Sequence, residues 1–233
     1  MYVRSGNLRV NAELGEDGVI SAAKGNRDVV INGDIAVEAD KLDTQVSVAL
    51  NTANSIFKGG IKHVDDGGKA NLLLANKALW ENGSKDSKFT GSVVDQFVGG
   101  SNRDNAGYIL QADKNNLVFN NYSGNAVIMY EHTGNGIEAS HYAGGDTIIK
   151  NAKANSGIVL STQSNGINMQ DNDEVSKVLN TLAGKLTYEA FKTGEDNLNG
   201  KVQIAEGLTS SSASLTTCLL YTSPSPRDIS GSR

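Results

Sequence analysis

Gly124-Asn125-Ala126-Val127-Ile128-Met129-Tyr130, Gly145-Asp146-Thr147-Ile148-Ile149 and Gly157-Ile158-Val159-Leu160 decide the fold. Each is an apolar run of strand length and strand composition, introduced by a glycine. Working outward through residues 107–170, the same kind of run recurs. Tyr108-Ile109-Leu110, Leu117-Val118-Phe119, Ile137-Glu138-Ala139 and Ile167-Asn168-Met169 are separated from one another by Gly- and Asn-rich stretches. Gly124, Gly145 and Gly166 stand 21 residues apart, and so do Gly136 and Gly157. Two interleaved series with one period point to stacked structural repeats, in which each turn holds two or three strands and two or three corners. The fold class predicted is therefore all-β: a right-handed parallel β-helix, a solenoid of about 20–21 residues per turn. At about 4.8 Å per stacked strand, some eight turns make a rod of roughly 40 Å.

Upstream the spacing is looser. Val29-Val30-Ile31, Ile35-Ala36-Val37, Val46-Ser47-Val48, Leu72-Leu73-Leu74 and Val93-Val94 extend the pattern toward the N-terminus with variable corner loops. Downstream, the stretch from Asp173 to Gly194 changes character. Val175, Val178, Leu179, Leu182, Leu186 and Phe191 fall near one helical face, with Asp173 suited to the N-cap and Gly194 to the position past the C-terminus. One amphipathic α-helix is expected there, followed by a return to strand at Lys201-Val202-Gln203-Ile204-Ala205. The chain thus divides into β-helix repeats over 1–172, a helix over 173–194, strand again over 195–212, and a disordered tail over 213–233.

Composition agrees. The 233 residues include 25 Asn beside 26 Gly, while both Pro and the single Cys lie beyond residue 217. Proline would remove a donor from a sheet ladder, and Gly and Asn tolerate the left-handed backbone of tight turns. Stacked turns place like residues above like, so the asparagines are expected to form hydrogen-bonded ladders at the corners. The net charge is −5, the pI is about 5.2, and the basic residues are scattered, which argues against nucleic acid and anionic membrane as partners. No stretch approaches the roughly 18 apolar residues of a membrane helix, and Met1–Asn7 lacks the apolar core of a secretory signal. The segment from Cys218 through Leu219-Leu220-Tyr221-Thr222-Ser223-Pro224-Ser225-Pro226-Arg227-Asp228 to Arg233 breaks with all this. It resembles a translated sequencing adapter; the alternative is a disordered Ser/Pro linker.

Val178-Leu179-Asn180-Thr181-Leu182-Ala183-Gly184-Lys185-Leu186-Thr187-Tyr188, then Gly194–Thr209, and Asn71-Leu72-Leu73-Leu74-Ala75-Asn76-Lys77-Ala78-Leu79-Trp80 resemble passenger segments of large autotransporter adhesins. The resemblance covers most of residues 30 to 212. It implies a β-helical passenger exported through the periplasm and displayed on the outer face of a Gram-negative outer membrane. It also implies a host or bacterial surface ligand, protein or glycan, and an outer-membrane β-barrel belonging to the same chain. Neither an export signal nor alternating barrel strands occur in these residues, so a fragment of a longer protein is expected.

Reactive constellations are sparse. Three histidines, His63, His132 and His141, form a metal site only if they converge with carboxylates; exposed loop positions are the simpler reading. Ser140 and His141 are adjacent, and neighbours on a strand point to opposite faces, so they make a poor nucleophile and base. Asp171, Asp173 and Glu174 read either as a calcium site or as acids favoured at a helix start. Asp196-Asn197-Leu198-Asn199-Gly200 lacks the later Glu of a calcium loop, and Gly144-Gly145-Asp146 does not recur in tandem. Asp65-Asp66 is a solvated turn, and Trp80 is either a packed strand end or an exposed ligand anchor. No residue is assigned a catalytic, cofactor-binding or metal-ligating role, and no cofactor is expected. The function anticipated is a non-enzymatic structural stalk and adhesive surface. The alternatives are a β-helix polysaccharide lyase or hydrolase, which needs a groove with clustered carboxylates, and the head of a trimeric autotransporter.

Overall fold

Alternating inward-facing apolar residues give this chain its strands, and a computed structural model describes residues 1–38, 44–64, 67–112, 114–131, 142, 144–163, 166–189, 197–206 and 209–214. The first third contains β1 (Tyr2–Val3), β2 (Asn7–Val10), β3 (Ala12–Leu14), β4 (Ile20–Ala22), β5 (Val30–Asn32), β6 (Ile35–Val37), β7 (Gln45–Leu50), β8 (Ile56–Lys58) and β9 (Ile61–His63). The middle contains β10 (Lys69–Leu74), β11 (Leu79–Asn82), β12 (Gly91–Val98), β13 (Gly107–Gln111), β14 (Asn116–Ser123) and β15 (Asn125–Tyr130). Then follow β16 (Thr147–Ala152), β17 (Ser156–Gln163), α1 (Asn172–Ala183), β18 (Leu186–Tyr188), β19 (Leu198–Glu206) and β20 (Thr209–Ser214). The protein is mostly β, with parallel sheets and, among the described residues, a short helix at 172–183.

Two long sheets dominate. One runs in the order β18-β16-β14-β12-β10-β7-β2, the other β20-β19-β17-β15-β13-β11-β8-β5. From β10 to β19 successive strands alternate between them, and every pairing within that span is parallel. A third sheet, β1-β6-β9, is also parallel. Among the described residues, the antiparallel strand pairs are β19 with β20 and the hairpin β3–β4.

Register places like side chains over like. Phe57, Trp80, Ile109, Ile128, Leu160 and Val202 occupy successive paired positions, and each is 0% exposed. In the other sheet Val48, Leu72, Phe97 and Tyr122 form a second buried column, and Phe97 stacks on Tyr122 at 5.0 Å between ring centroids. Burying each such side chain stabilises the fold by roughly 1.5–3 kcal/mol. Both columns belong to one continuous hydrophobic core.

The 21-residue glycine series does not describe this register. Lys69 pairs with Gln45 and Asn71 with Gln96, shifts of 24 and 25 residues, whereas Gly107 pairs with Ala126, a shift of 19, and Asn125 with Gly157, a shift of 32. Gly124 and Gly145 precede strands of different sheets, β15 and β16, so their spacing is not a stacking distance. Gly124 instead contacts the chain at Gly99, with a positive φ of 75°. Corner loops of unequal length make the period vary while the strands keep their stacking.

Three element assignments change. Ile167-Asn168-Met169 is not a strand; it leads into the helix, with Ile167 buried. The helix is α1, Asn172–Ala183, capped by Asp171 rather than Asp173: the Asp171 carboxylate accepts from the Asp173 and Glu174 N–H groups. It stops at Gly184, and Leu186–Tyr188 pairs with β16 as β18, so Leu186 belongs to a strand and not to the helical face. Ile137–Ala139, Gly136, Phe191, Gly194 and residues 215–233 lie outside the described residues.

The expected asparagine ladders are present. Asn51 receives hydrogen bonds through its carbonyl oxygen from Asn26 Nδ2 (3.0 Å) and through Oδ1 from Asn76 Nδ2 (3.0 Å), with 25 residues between successive members. Within the sheet strands β12, β14 and β16, Asn121 Nδ2 donates to the Asp95 carbonyl and Asn151 Nδ2 to the Asn120 carbonyl, at 3.0 and 3.1 Å.

Candidate functional site

Two polar arrangements stand out against this scaffold. Both sit where the strand pattern is interrupted.

The first lies at the corner between the β5–β8–β11 edge and the β1–β6–β9 sheet. Asn32-Gly33, Lys58-Gly59 and Asn82-Gly83 end β5, β8 and β11. At Gly59 the φ is +155°, and a Cβ there would come within 2.5 Å of the Gly33 carbonyl oxygen. The corner is therefore stripped of side chains, and a groove of about 680 Å³ opens over it. Lys58 and Glu81, paired at 2.8 Å and both solvent-accessible, line its wall together with Asp34, Ser84 and Lys85. Asp34 Oδ1 accepts from the Gly60 N–H at 2.9 Å and Oδ2 from the Ser84 hydroxyl at 2.6 Å, which fixes that wall. The backbone of the floor is already paired, Gly33 N–H to the Lys58 carbonyl and Gly59 N–H to the Glu81 carbonyl.

The second arrangement lies at a bend in the long strands. In β12 the buried positions step from Val94 to Phe97, and in β14 from Phe119 to Tyr122, three residues instead of two. The bend throws Asp95 toward β9, where His63 Nε2 stands 3.1 Å from Asp95 Oδ2. The contact is an ion pair by distance but is not aligned as a linear hydrogen bond. Asp95 also accepts from the Ala70 N–H (2.8 Å) and from Asn120 Nδ2 (2.9 Å). The Asp95 contact raises the affinity of the His63 ring for its proton, against the opposing effect of burial. Burial pushes the Asp95 carboxyl up, but the His63 contact and its hydrogen bonds from Ala70 and Asn120 outweigh that and hold it below the usual carboxylate range.

Among the described residues, those singled out in the sequence do not assemble into one site. His132, His141, Ser140, Asp65, Asp66 and Asp196 lie outside the described residues. Asp171 serves as the helix N-cap, and Glu174 Oε1 accepts from the Asn168 N–H at 3.1 Å, so this cluster is engaged in starting α1. Among the described residues no three His, Cys, Asp or Glu side chains converge as a metal site. Trp80 is wholly buried, stacks on Phe57 at 5.7 Å and donates its indole N–H to the Gly59 carbonyl at 2.8 Å, which settles the choice in favour of packing. Around Gly144-Gly145-Asp146, the Gly144 carbonyl accepts from Lys185 Nζ at 2.8 Å, an intrachain anchor. The groove brings together two acids, Asp34 and Glu81, one braced by Ser84 and one paired with Lys58. The groove residues were missed in the sequence, although Asn-Gly, Lys-Gly-Gly and Asn-Gly at strand ends about 25 residues apart carry their signal.

The chain matches no protein-family model, no curated protein and no solved structure.

Proposed function

We propose that this protein is a right-handed parallel β-helix serving as a passenger segment of a surface-displayed autotransporter adhesin, a non-enzymatic stalk with an adhesive face. The observation that carries the reading is the alternation of successive strands between two long parallel sheets, with β10, β12 and β14 each stacked on the strand 24 or 25 residues before it. Such a chain path winds as a coil, and its stability is close to a sum of turns and turn-to-turn contacts. The turns are built for stacking: aromatic and aliphatic columns fill the interior, and asparagine hydrogen bonds tie neighbouring turns both at a corner and within strands. Long rods of this kind hold a binding surface away from a cell at little cost in complexity. The segment acts outside the cell, on a protein or glycan of a host or neighbouring bacterial surface.

The test uses the purified chain on two assays in parallel. Adhesion is read as retention of fluorescent beads, coated with the chain, on epithelial cells and on bacterial biofilm. Catalysis is read as release of reducing ends or unsaturated products from a panel of acidic and neutral polysaccharides. The proposal expects retention without product release. Sustained turnover of any polysaccharide would replace it with the lyase or hydrolase reading, and an obligate trimer in sedimentation would favour a trimeric head.

A further inference from the structure

The groove over the Gly33–Gly59 corner is lined in a way that specifies its occupant, an inference that rests on the adhesin reading above. We infer that it is a subsite for a neutral oligosaccharide lying along the stack, gripped through its hydroxyls by Lys58, Glu81, Asp34, Ser84 and Lys85.

Four observations narrow the ligand class. The groove volume, about 680 Å³, lies in the range of small-ligand sites. Its lining spans residues from three successive strand ends, Asn32, Lys58 and Glu81, and reaches Ala112, so it is elongated along the stacking direction over roughly 14 Å. A linear chain of repeating units suits that shape better than a compact metabolite does. The walls offer two carboxylates and two ammonium groups, so the local charge is balanced and neither an anionic polymer nor a basic peptide is favoured. The floor presents glycine backbone whose Gly33 and Gly59 N–H groups already bond to the next strand, so a peptide lying in the groove finds neither donor free for pairing.

What remains is hydrogen bonding by donors and acceptors interleaved at close spacing. Sugar hydroxyls both donate and accept, and can therefore bridge Glu81 to Lys58 and Ser84 to Asp34 without leaving either charge unpaired. The groove has no exposed aromatic platform, since Trp80 beneath it is buried. Affinity per site is accordingly low, and binding is strong only when many copies act together.

The experiment is a glycan array of neutral, sialylated and sulfated oligosaccharides, probed with the whole chain coupled multivalently to beads. The variants are K58M/E81Q, which removes both charges while keeping unbranched side chains of similar size, and S84A. Melting temperature and far-UV spectrum are measured on each to show that it folds. The inference expects retention of neutral glycans, little changed by added salt, and at least tenfold weaker for folded K58M/E81Q. It is overturned if no neutral glycan is retained above the level of K58M/E81Q, or if retention is confined to sulfated and sialylated glycans and vanishes with salt. Cell adhesion measured on the same beads separates the two claims. Unchanged adhesion by K58M/E81Q overturns the groove and leaves the adhesin reading standing, whereas loss of adhesion in both arms for the native chain strikes the adhesin reading itself.

Discussion

Gly59 has a backbone conformation that a side chain would strain, and its Cα faces the Gly33 carbonyl so closely that a Cβ would stand 2.5 Å from it. Replacing it by alanine forces that corner apart. Gly59→Ala is expected to cost roughly 2–4 kcal/mol, read as a lower denaturation midpoint in urea at unchanged slope. Trp80 acts on the same corner through its indole N–H. Trp80→Phe keeps most of the packing on Phe57 but leaves the Gly59 carbonyl without that donor, a loss of about 1–3 kcal/mol in the same titration. His63 and Asp95 add a pH signature. The folded protein binds the His63 proton more tightly than the usual value of 6.5, so this stabilisation is complete below that value and is lost as pH rises through the elevated one. Asp95 is held below its usual value of 3.8, so its contribution is present above that value and is lost as pH falls further. Between those limits the pair is charged on both sides. His63→Gln is therefore expected to narrow the gap in melting temperature to the native chain as pH is raised from 5.5 to 8. A gap that stays constant over that range would remove the pair from the account.

Among elements, α1 shows what sequence patterning reveals and what it hides. Val175, Val178, Leu179 and Leu182 are buried at helical spacing, and this stripe was legible directly. The continuation through Leu186 fitted the same period, but β16 offers Leu186 a ladder partner, Thr147, and tertiary pairing overrides the local pattern. The cap was displaced for a related reason: Asp171 and Asp173 both suit the position, and the choice rests on which carboxylate reaches the next two N–H groups. Asp171→Ala is expected to cost about 1 kcal/mol, measured as lost stability in thermal unfolding, whereas Asp173→Ala should cost markedly less. Most strands were legible because their inward residues alternate. The bends at Asp95–Gln96 and Asn120–Asn121 were not, because a three-residue step between buried positions breaks the alternation. That is why the Asp95 partner of His63 was invisible. The groove was hidden in a different way: it is defined by side chains that glycine lacks. The hairpin β3–β4 is likewise a tertiary feature. It covers Ala49, Leu73 and Ala75 on the outer face through Ile20, which is buried, and is tied by Ile20 N–H to Gln96 Oε1 at 2.8 Å.

Over the whole molecule, the stacking shift is set by loops while the columns are set by strands. The shift ranges from 19 to 32 residues in adjoining pairs of the longer sheet, yet Ile109, Ile128 and Leu160 still superpose. A search for one exact period therefore finds accidental spacings such as Gly124–Gly145–Gly166, and the architecture is carried by the recurrence of strands instead. The proposed coil implies a stability close to a sum over neighbouring turns. Native-state hydrogen exchange should accordingly show protection highest at β11–β15, which have partners on both sides, and falling toward β1–β2 and β5. The functional claim reaches beyond the described residues, and the source DNA tests it most directly. Long reads across the codons for Thr217 and Cys218 are predicted to continue from Thr217 into further stacked-strand sequence and then into a C-terminal barrel of alternating strands. Reads that carry the codons for Cys218–Arg233 intact and end in a stop after Arg233 would contradict the account of an autotransporter passenger.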